Sequence, residues 1–212
     1  MVTSSVLELG LNTESAKKIR EIAEKVGAFL QGDFTLSSGR KSGHYFDGKK
    51  VTLSSEGADW VGKAIFDELK EIGVDAIGGL AIGADPIVGA AAVVSHREGK
   101  PINAFIVRDV PKEHGTKRKI EGHLREGFRV AIVDDVITTG GSVSKAIEAV
   151  EEAGCKVVKV IVIVDRHEGG SDKLKKEGYD FTAILHLWPS GKVTIDEPST
   201  VTQEIKARVL PR

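Results

Sequence analysis

VAIVDDVITTGGSVS, residues 130–144, decides how the rest of the chain reads. Val130, Ala131, Ile132 and Val133 form a continuous apolar run that ends in two adjacent aspartates, Asp134 and Asp135. Such a run between turn signals predicts a strand covered on both faces, as in a parallel sheet. Thr138-Thr139-Gly140-Gly141-Ser142 predicts a tight loop that brings backbone N–H groups close to a bound group, with Ser142 as N-cap of the next helix. Strand, loop and helix N-terminus together make an anion cradle suited to phosphate, because the first N–H groups of a helix lack internal acceptors. Carboxylates repel phosphate, so Asp134 and Asp135 must face another part of the ligand: sugar hydroxyls, or a divalent cation shared with it. The combination points to a phosphorylated sugar.

Working outward, strand and helix patterns alternate. Asn12-Thr13 heads a helical pattern with Ala16, Ile19, Ile22, Ala23, Val26 and Leu30 on one face, ended by Gly32 and Asp33. Residues 56–72 predict an amphipathic helix that buries Trp60, Ala64, Ile65 and Leu69. A short strand at 76–80 leads through the loop 81–86 into a helix from Pro86 to about His96, with proline in its first turn. Further strands fall at 102–107, 157–164 and 179–187, and further helices at 145–153, with Gly154 as its C′ residue, and at 171–178. This order predicts an α/β fold with a mostly parallel central sheet flanked by helices. Ligands on such sheets sit beyond the carboxyl ends of the strands. Leu80, Val107, Val133 and Val164 each stand near such an end, just before a candidate ligand segment.

Composition narrows the classes. The 212 residues are 41% hydrophobic and 29% charged, which is enough apolar material for a real core. A formal net charge of −1 gives no global field to attract nucleic acid or anionic membrane, so any phosphate recognition must be local. The single cysteine, Cys155, excludes an internal disulfide framework. No apolar stretch approaches the roughly 20 residues of a membrane span, and the N-terminus lacks the layout of a secretion signal. A cytoplasmic protein is expected. The six histidines show no ligand spacing with Cys155 or with one another, and neither a P-loop nor a G-x-S-x-G elbow is present.

VAIVDDVITTGGS resembles the phosphoribosyl pyrophosphate motif of the type I phosphoribosyltransferases. The resemblance implies that Asp134, Asp135, Val136, Ile137, Thr138, Thr139, Gly140, Gly141 and Ser142 bind that substrate, the loop on the 5′-phosphate and the acid pair on the ribose hydroxyls. FTLSSGRKSGHYFD, residues 34–47, resembles the N-terminal signature of orotate phosphoribosyltransferases, often written FTLxSGRKSxYYFD. It implies that Tyr45 and Phe46 lie beside the orotate ring, together with Thr138. From the residues alone, the segment also reads as a β-hairpin with core aromatics.

RDVPKEHGTKRKIEG, residues 108–122, is rich in charge and poor in apolar residues, and predicts a mobile surface loop. Arg108, Lys112 and His114 match the R-x-x-x-K-x-H-G pattern of the same family. The resemblance gives them pyrophosphate, with Lys112 and His114 catalytic beside Asp134 and Asp135. It also implies that the loop closes over the active site of a neighbouring subunit, hence a homodimer with two-fold symmetry. Arg166, after the strand at 157–164, matches the arginine that grips the orotate carboxylate; a salt bridge to Glu168 or Asp165 is its structural alternative. Ser37, Gly83 and Asp109 stand where many or some relatives have lysine, and Gly43-His44 where many have Pro-Tyr.

The fold implied is that of the type I phosphoribosyltransferases, with an N-terminal helix and base-binding hood at 1–50, an α/β core at 51–190 and a tail at 191–212. The activity implied is conversion of orotate and phosphoribosyl pyrophosphate to orotidine 5′-monophosphate and pyrophosphate in pyrimidine synthesis. Mg²⁺ is the implied cofactor, held mainly by ligand oxygens and water rather than by direct protein ligands. Two alternatives stay open: transfer to another base, and a non-catalytic regulator that senses phosphoribosyl pyrophosphate on the same fold.

Overall fold

The computed structural model describes residues 13–35, 39, 41–109 and 119–195. It opens on helix α1 (Thr13–Lys25), which buries Ala16, Ile19, Ile22 and Ala23. This helix stops earlier than its apolar spacing predicts, and Leu30 lies in a strand instead. The cause is Gly27, at φ 64°. Ala28 N–H bonds to Ala23 C=O at 2.8 Å and Gly27 N–H to Glu24 C=O at 3.2 Å, a left-handed helix cap that turns the chain away. Strands β1 (Phe29–Thr35) and β2 (Lys41–Phe46) then pair antiparallel as a separate hairpin, with Leu30 opposite Tyr45 and Phe29 opposite Phe46. Helices α2 (Gly48–Thr52) and α3 (Ser55–Leu69) follow, the second capped by Ser54, whose side chain accepts from Gly57 N–H. The short α2 is absent from the sequence reading, since five residues are too few for a periodic pattern.

The main sheet contains β3 (Ala76–Leu80), β4 (Asn103–Val107), β5 (Ile120–Gly122), β6 (Arg129–Ile137), β7 (Lys156–Asp165), β8 (Phe181–Leu187) and β9 (Val193–Thr194). Their spatial order is β5-β4-β3-β6-β7-β8-β9. The five inner strands run parallel, and the short edge strands β5 and β9 are antiparallel to their neighbours. Helices α4 (Asp85–Arg97), α5 (Gly141–Glu152) and α6 (Gly170–Lys176) complete the chain order. Alternating residues of the sheet feed two cores. Ile77, Val133, Ile161 and Ile184 pack with α1, α3 and α4 on one face. Ile132, Val160, Val162 and Ala183 pack with α5 and Leu174 of α6 on the other.

From β3 the chain crosses to β4 on one side; from β6 it crosses to β7 on the other. The ends of β3 and β6 therefore border the point where the winding reverses, the place where an α/β sheet opens a crevice.

Candidate active site

Two details of the quoted stretch differ from its sequence reading. Strand β6 does not end before the aspartates but carries them within it and continues to Ile137, pairing with β7 as far as Asp165. The β-branched Val136 and Ile137 sustain the strand. The N-cap of α5 is Gly140, at φ 83°, and not Ser142, which is the second residue of the helix. Ser144 N–H makes the first helical bond, to Gly140 C=O at 2.8 Å. The amides of residues 141–143 thus have no acceptor within the helix. Gly170 N–H bonds to Thr138 C=O at 2.9 Å, which braces the loop from behind.

A cleft of about 410 Å³ opens over these strand ends, lined by Tyr45, Lys49, Asp134, Asp135, Thr138 and Arg166, with Val136, Ser142 and the loop 80–83 completing its wall. Ile137, named above among the sugar-phosphate residues, turns its side chain into the core, 1% exposed. Its position one residue beyond Val136 on a strand requires that, because successive side chains point to opposite faces. What Ile137 contributes is its carbonyl, which accepts from Arg166 N–H at 3.1 Å. Thr139 in the loop and Gly141 at the start of α5 are exposed, and Gly140 is buried.

The acid pair is nearly buried, at 6% exposure for Asp134 and 8% for Asp135. Oδ1 of Asp134 accepts from Asp135 N–H at 2.9 Å. Burial first, and then the neighbouring Asp135 carboxylate, push the Asp134 pKa up to about 8. Gly83 closes over the pair: a Cβ there would stand 2.6 Å from Oδ1 of Asp134 and 2.8 Å from Oδ1 of Asp135. The missing lysine at this position is therefore not an open slot in this chain. A larger residue at 83 would press on the acids.

Lys49 is a cleft residue that sequence reasoning missed. Its Nζ lies 3.4 Å from Oδ2 of Asp135. Burial disfavours the ammonium, yet Asp135 outweighs it, and the pKa stands above the ordinary lysine value. The available signal was its place two residues after the FD of the hood motif, on the first turn of a helix too short to detect.

Across the cleft, the hairpin brings its aromatics in unequally. Tyr45 is 38% exposed, whereas Phe46 is 2% exposed and packs on Phe29, ring centroids 5.0 Å apart. Tyr45 offers a face to a ligand; Phe46 is mostly buried in the core but also lines the cleft at its floor, so the two aromatics reach the cleft unequally. Arg166 is 6% exposed and reaches from the end of β7 to the hairpin. Its Nη2 donates to Ser42 Oγ at 2.8 Å and to His44 C=O at 2.9 Å, and its Nε lies 3.3 Å from Glu168 Oε1. The salt bridge to Glu168 and a place on the cleft wall thus coexist.

Arg108 sits at the root of the charged loop, its N–H bonded to Lys119 C=O at 2.8 Å and its Nη1 3.9 Å from Glu121. Asp109, where some relatives have lysine, pairs with Lys145 of α5 at 2.7 Å. Lys112 and His114 lie outside the described residues, as do Ser37, Lys117 and Arg118.

A reversed-winding sheet carrying an acid pair, a glycine-rich loop and a helix N-terminus at its crevice is the architecture of the type I phosphoribosyltransferase class. The phosphoribosyl transferase domain family matches residues 102–184, which span the charged loop, the acid pair and Arg166. Orotate phosphoribosyltransferase from Aquifex aeolicus is 47% identical over 154 residues, covering 73% of this chain and 84% of that protein. Its Bradyrhizobium diazoefficiens counterpart is 47% identical over 161 residues, covering 74% and 86%. Among solved structures, Mycobacterium tuberculosis orotate phosphoribosyltransferase in complex with 5-phospho-alpha-D-ribosyl 1-diphosphate superposes with a TM-score of 0.64 at 32% identity, covering 82% of this chain and 95% of that one. The chain belongs to the orotate phosphoribosyltransferase family.

Proposed function

We propose that this chain runs its family's reaction in the Tyr45–Arg166 cleft, joining orotate to the ribose of phosphoribosyl pyrophosphate in pyrimidine synthesis. The anomeric C–O bond breaks and pyrophosphate leaves with the electron pair. The orotate ring nitrogen supplies the pair for the new C–N bond, and its proton passes to pyrophosphate or water. The observation that carries this reading is the meeting, in one cavity, of a sugar-phosphate half and a base half.

In the first half, the amides at the start of α5 and the hydroxyls of Thr138 and Ser142 hold the 5′-phosphate. Asp134 and Asp135 orient the ribose hydroxyls, and the Asp135 carboxylate favours the cationic character that the ribose gains as the bond breaks. In the second half, Tyr45 covers the flat ring and Arg166 meets the orotate carboxylate. Glu168, Ser42 and His44 C=O occupy its Nε and Nη2, so the guanidinium is oriented before the ligand arrives. Lys49 neutralises Asp135 in the free cleft and is a nearby cation for the pyrophosphate.

Mg²⁺ fits the donor chemistry, since Asp134 and Asp135 are hard oxygen donors and the only carboxylates among the described residues lining the cleft. Bound mainly through substrate oxygens and water, it would neutralise charge on the departing pyrophosphate. Arg108, Lys112 and His114 complete the pyrophosphate site in this reading, which brings with it a homodimer sharing the charged loop and a cytoplasmic setting. Among the described residues, no helix is long and apolar enough to cross a membrane.

The test is direct: incubate the protein with orotate, phosphoribosyl pyrophosphate and Mg²⁺ and follow orotate absorbance. Loss of absorbance that requires all three supports the reading; turnover of adenine or uracil instead of orotate favours the other-base alternative. No turnover with tight substrate binding favours the regulator. Lys112→Ala and His114→Ala are expected to cut turnover far more than they lower Tm; equal losses of both would sink the loop's role.

A further inference from the structure

Beside the cleft, the fold assembles a second set of donor atoms that no sequence spacing announced. Asp165 ends β7, and His186 is its register partner in the parallel ladder on β8. Both are almost fully buried, at 1% and 4% exposure. His167 follows two residues after Asp165 with φ 53°, and its N–H donates to Asp165 Oδ1 at 2.8 Å. That left-handed turn brings the imidazole back over the strand ends. Nε2 of His167 lies 3.0 Å from Nδ1 of His186, and Nδ1 lies 3.8 Å from Oδ2 of Asp165. The three residues can each offer one ligand atom within 4.8 Å of the others.

Two further features suit an ion rather than a sealed core. Trp188 stacks on His167 with ring centroids 3.9 Å apart and planes 10° from parallel, which fixes the imidazole plane. His167 also forms part of the wall of a cavity of about 230 Å³, with Lys41, Ser42, His44 and Trp188 among its neighbours. Of the three donors His167 alone lines that cavity, so an ion would approach from the His167 side.

We propose that Asp165, His167 and His186 form a binding site for a borderline transition-metal ion of the Zn²⁺ class, separate from the substrate cleft. Two imidazole nitrogens and one carboxylate oxygen are a donor set such ions take, with an open position for water, whereas Mg²⁺ prefers oxygens throughout. Metal–nitrogen bonds of about 2.0–2.1 Å put neighbouring donors roughly 3 Å apart, so an ion would take the place of the proton in the hydrogen bond that joins His167 Nε2 and His186 Nδ1 at 3.0 Å. The carboxylate supplies the charge that two neutral imidazoles lack. The site rests against Arg166, but its existence does not depend on the role given to that arginine.

The probe is Co²⁺, whose visible absorption reports nitrogen ligation. Titrating the chelator-treated full chain with Co²⁺ is expected to give a saturable visible band, bleached by stoichiometric Zn²⁺ and untouched by millimolar Mg²⁺. His167→Gln alters a partly exposed ring, and a Tm scan checks that the variant is folded. It is expected to weaken Co²⁺ binding by roughly tenfold or more, while Asp134→Asn leaves the band in place. Absence of a band in the unaltered chain would overturn the proposal. So would a band that survives in His167→Gln, or one that disappears in Asp134→Asn, which would move the ion to the substrate cleft.

Discussion

The two halves of the cleft are built in different ways. The half proposed for the sugar phosphate comes from one continuous piece of chain, the β6 strand, its loop and the start of α5. The half proposed for the base joins a hairpin near the N-terminus to an arginine at the end of β7, 124 residues from its partner Ser42. A local motif carries its own geometry and is readable from spacing. A site made by long-range docking exists only when two elements settle against one another, so its parts can be named in advance but not its contacts.

If that division is sound, damage should sort by half. Asp135→Asn removes a buried charge beside the reacting sugar and is expected to lower kcat/KM roughly 10²–10³-fold, the scale of one transition-state electrostatic contact. Steady-state kinetics should show the loss mainly in kcat. Arg166→Ala comes next, with orotate kcat/KM falling roughly 10²-fold because a buried charged partner is worth about 3 kcal/mol. The KM for phosphoribosyl pyrophosphate should hardly move; if both KM values rise together, the halves are not separable.

A pH measurement sharpens the contrast within the first half. The Asp134 pKa is raised above that of an unfolded aspartate, so its contribution to stability is complete below about pH 4. It is lost progressively as pH climbs toward and through about 8. Thermal melts of the ligand-free protein should therefore show Asp134→Asn gaining on the parent as pH rises. The gain at pH 8.5 is expected on the order of 1–3 kcal/mol, a Tm increase of several degrees. An identical pH slope in the two proteins would remove the buried-acid account.

The smallest effect belongs to Ser42→Ala. Loss of one hydrogen bond to Arg166 should raise the orotate KM about five- to tenfold, equivalent to about 1–1.5 kcal/mol, without altering the KM for the sugar phosphate. A change in the latter would mean that the hairpin supports both halves.

The same distinction accounts for what the sequence revealed. The parallel sheet and the glycine-rich loop after β6 were legible because β-branched runs, glycines and acids fall at fixed short spacings. Errors arose where one local feature overrode a periodic pattern. Gly27 cut α1 short although Leu30 kept the helical spacing, and Gly140 took the cap from Ser142. Lys49, and the meeting of His167 with His186, were illegible for a different reason. Each depends on a tertiary neighbour, Asp135 in one case and an adjacent strand in the other, that no local pattern encodes.

Ribosomal synthesis gives the hairpin's anchoring a consequence in time. Strands β1 and β2 leave the exit tunnel long before Arg166 is translated, and they belong to a two-stranded sheet of their own. An isolated ribbon of that size is at best marginally stable in water. Its docking onto Arg166 therefore awaits the end of β7, so the half proposed for the base is completed only after the loop that follows β6 has been made.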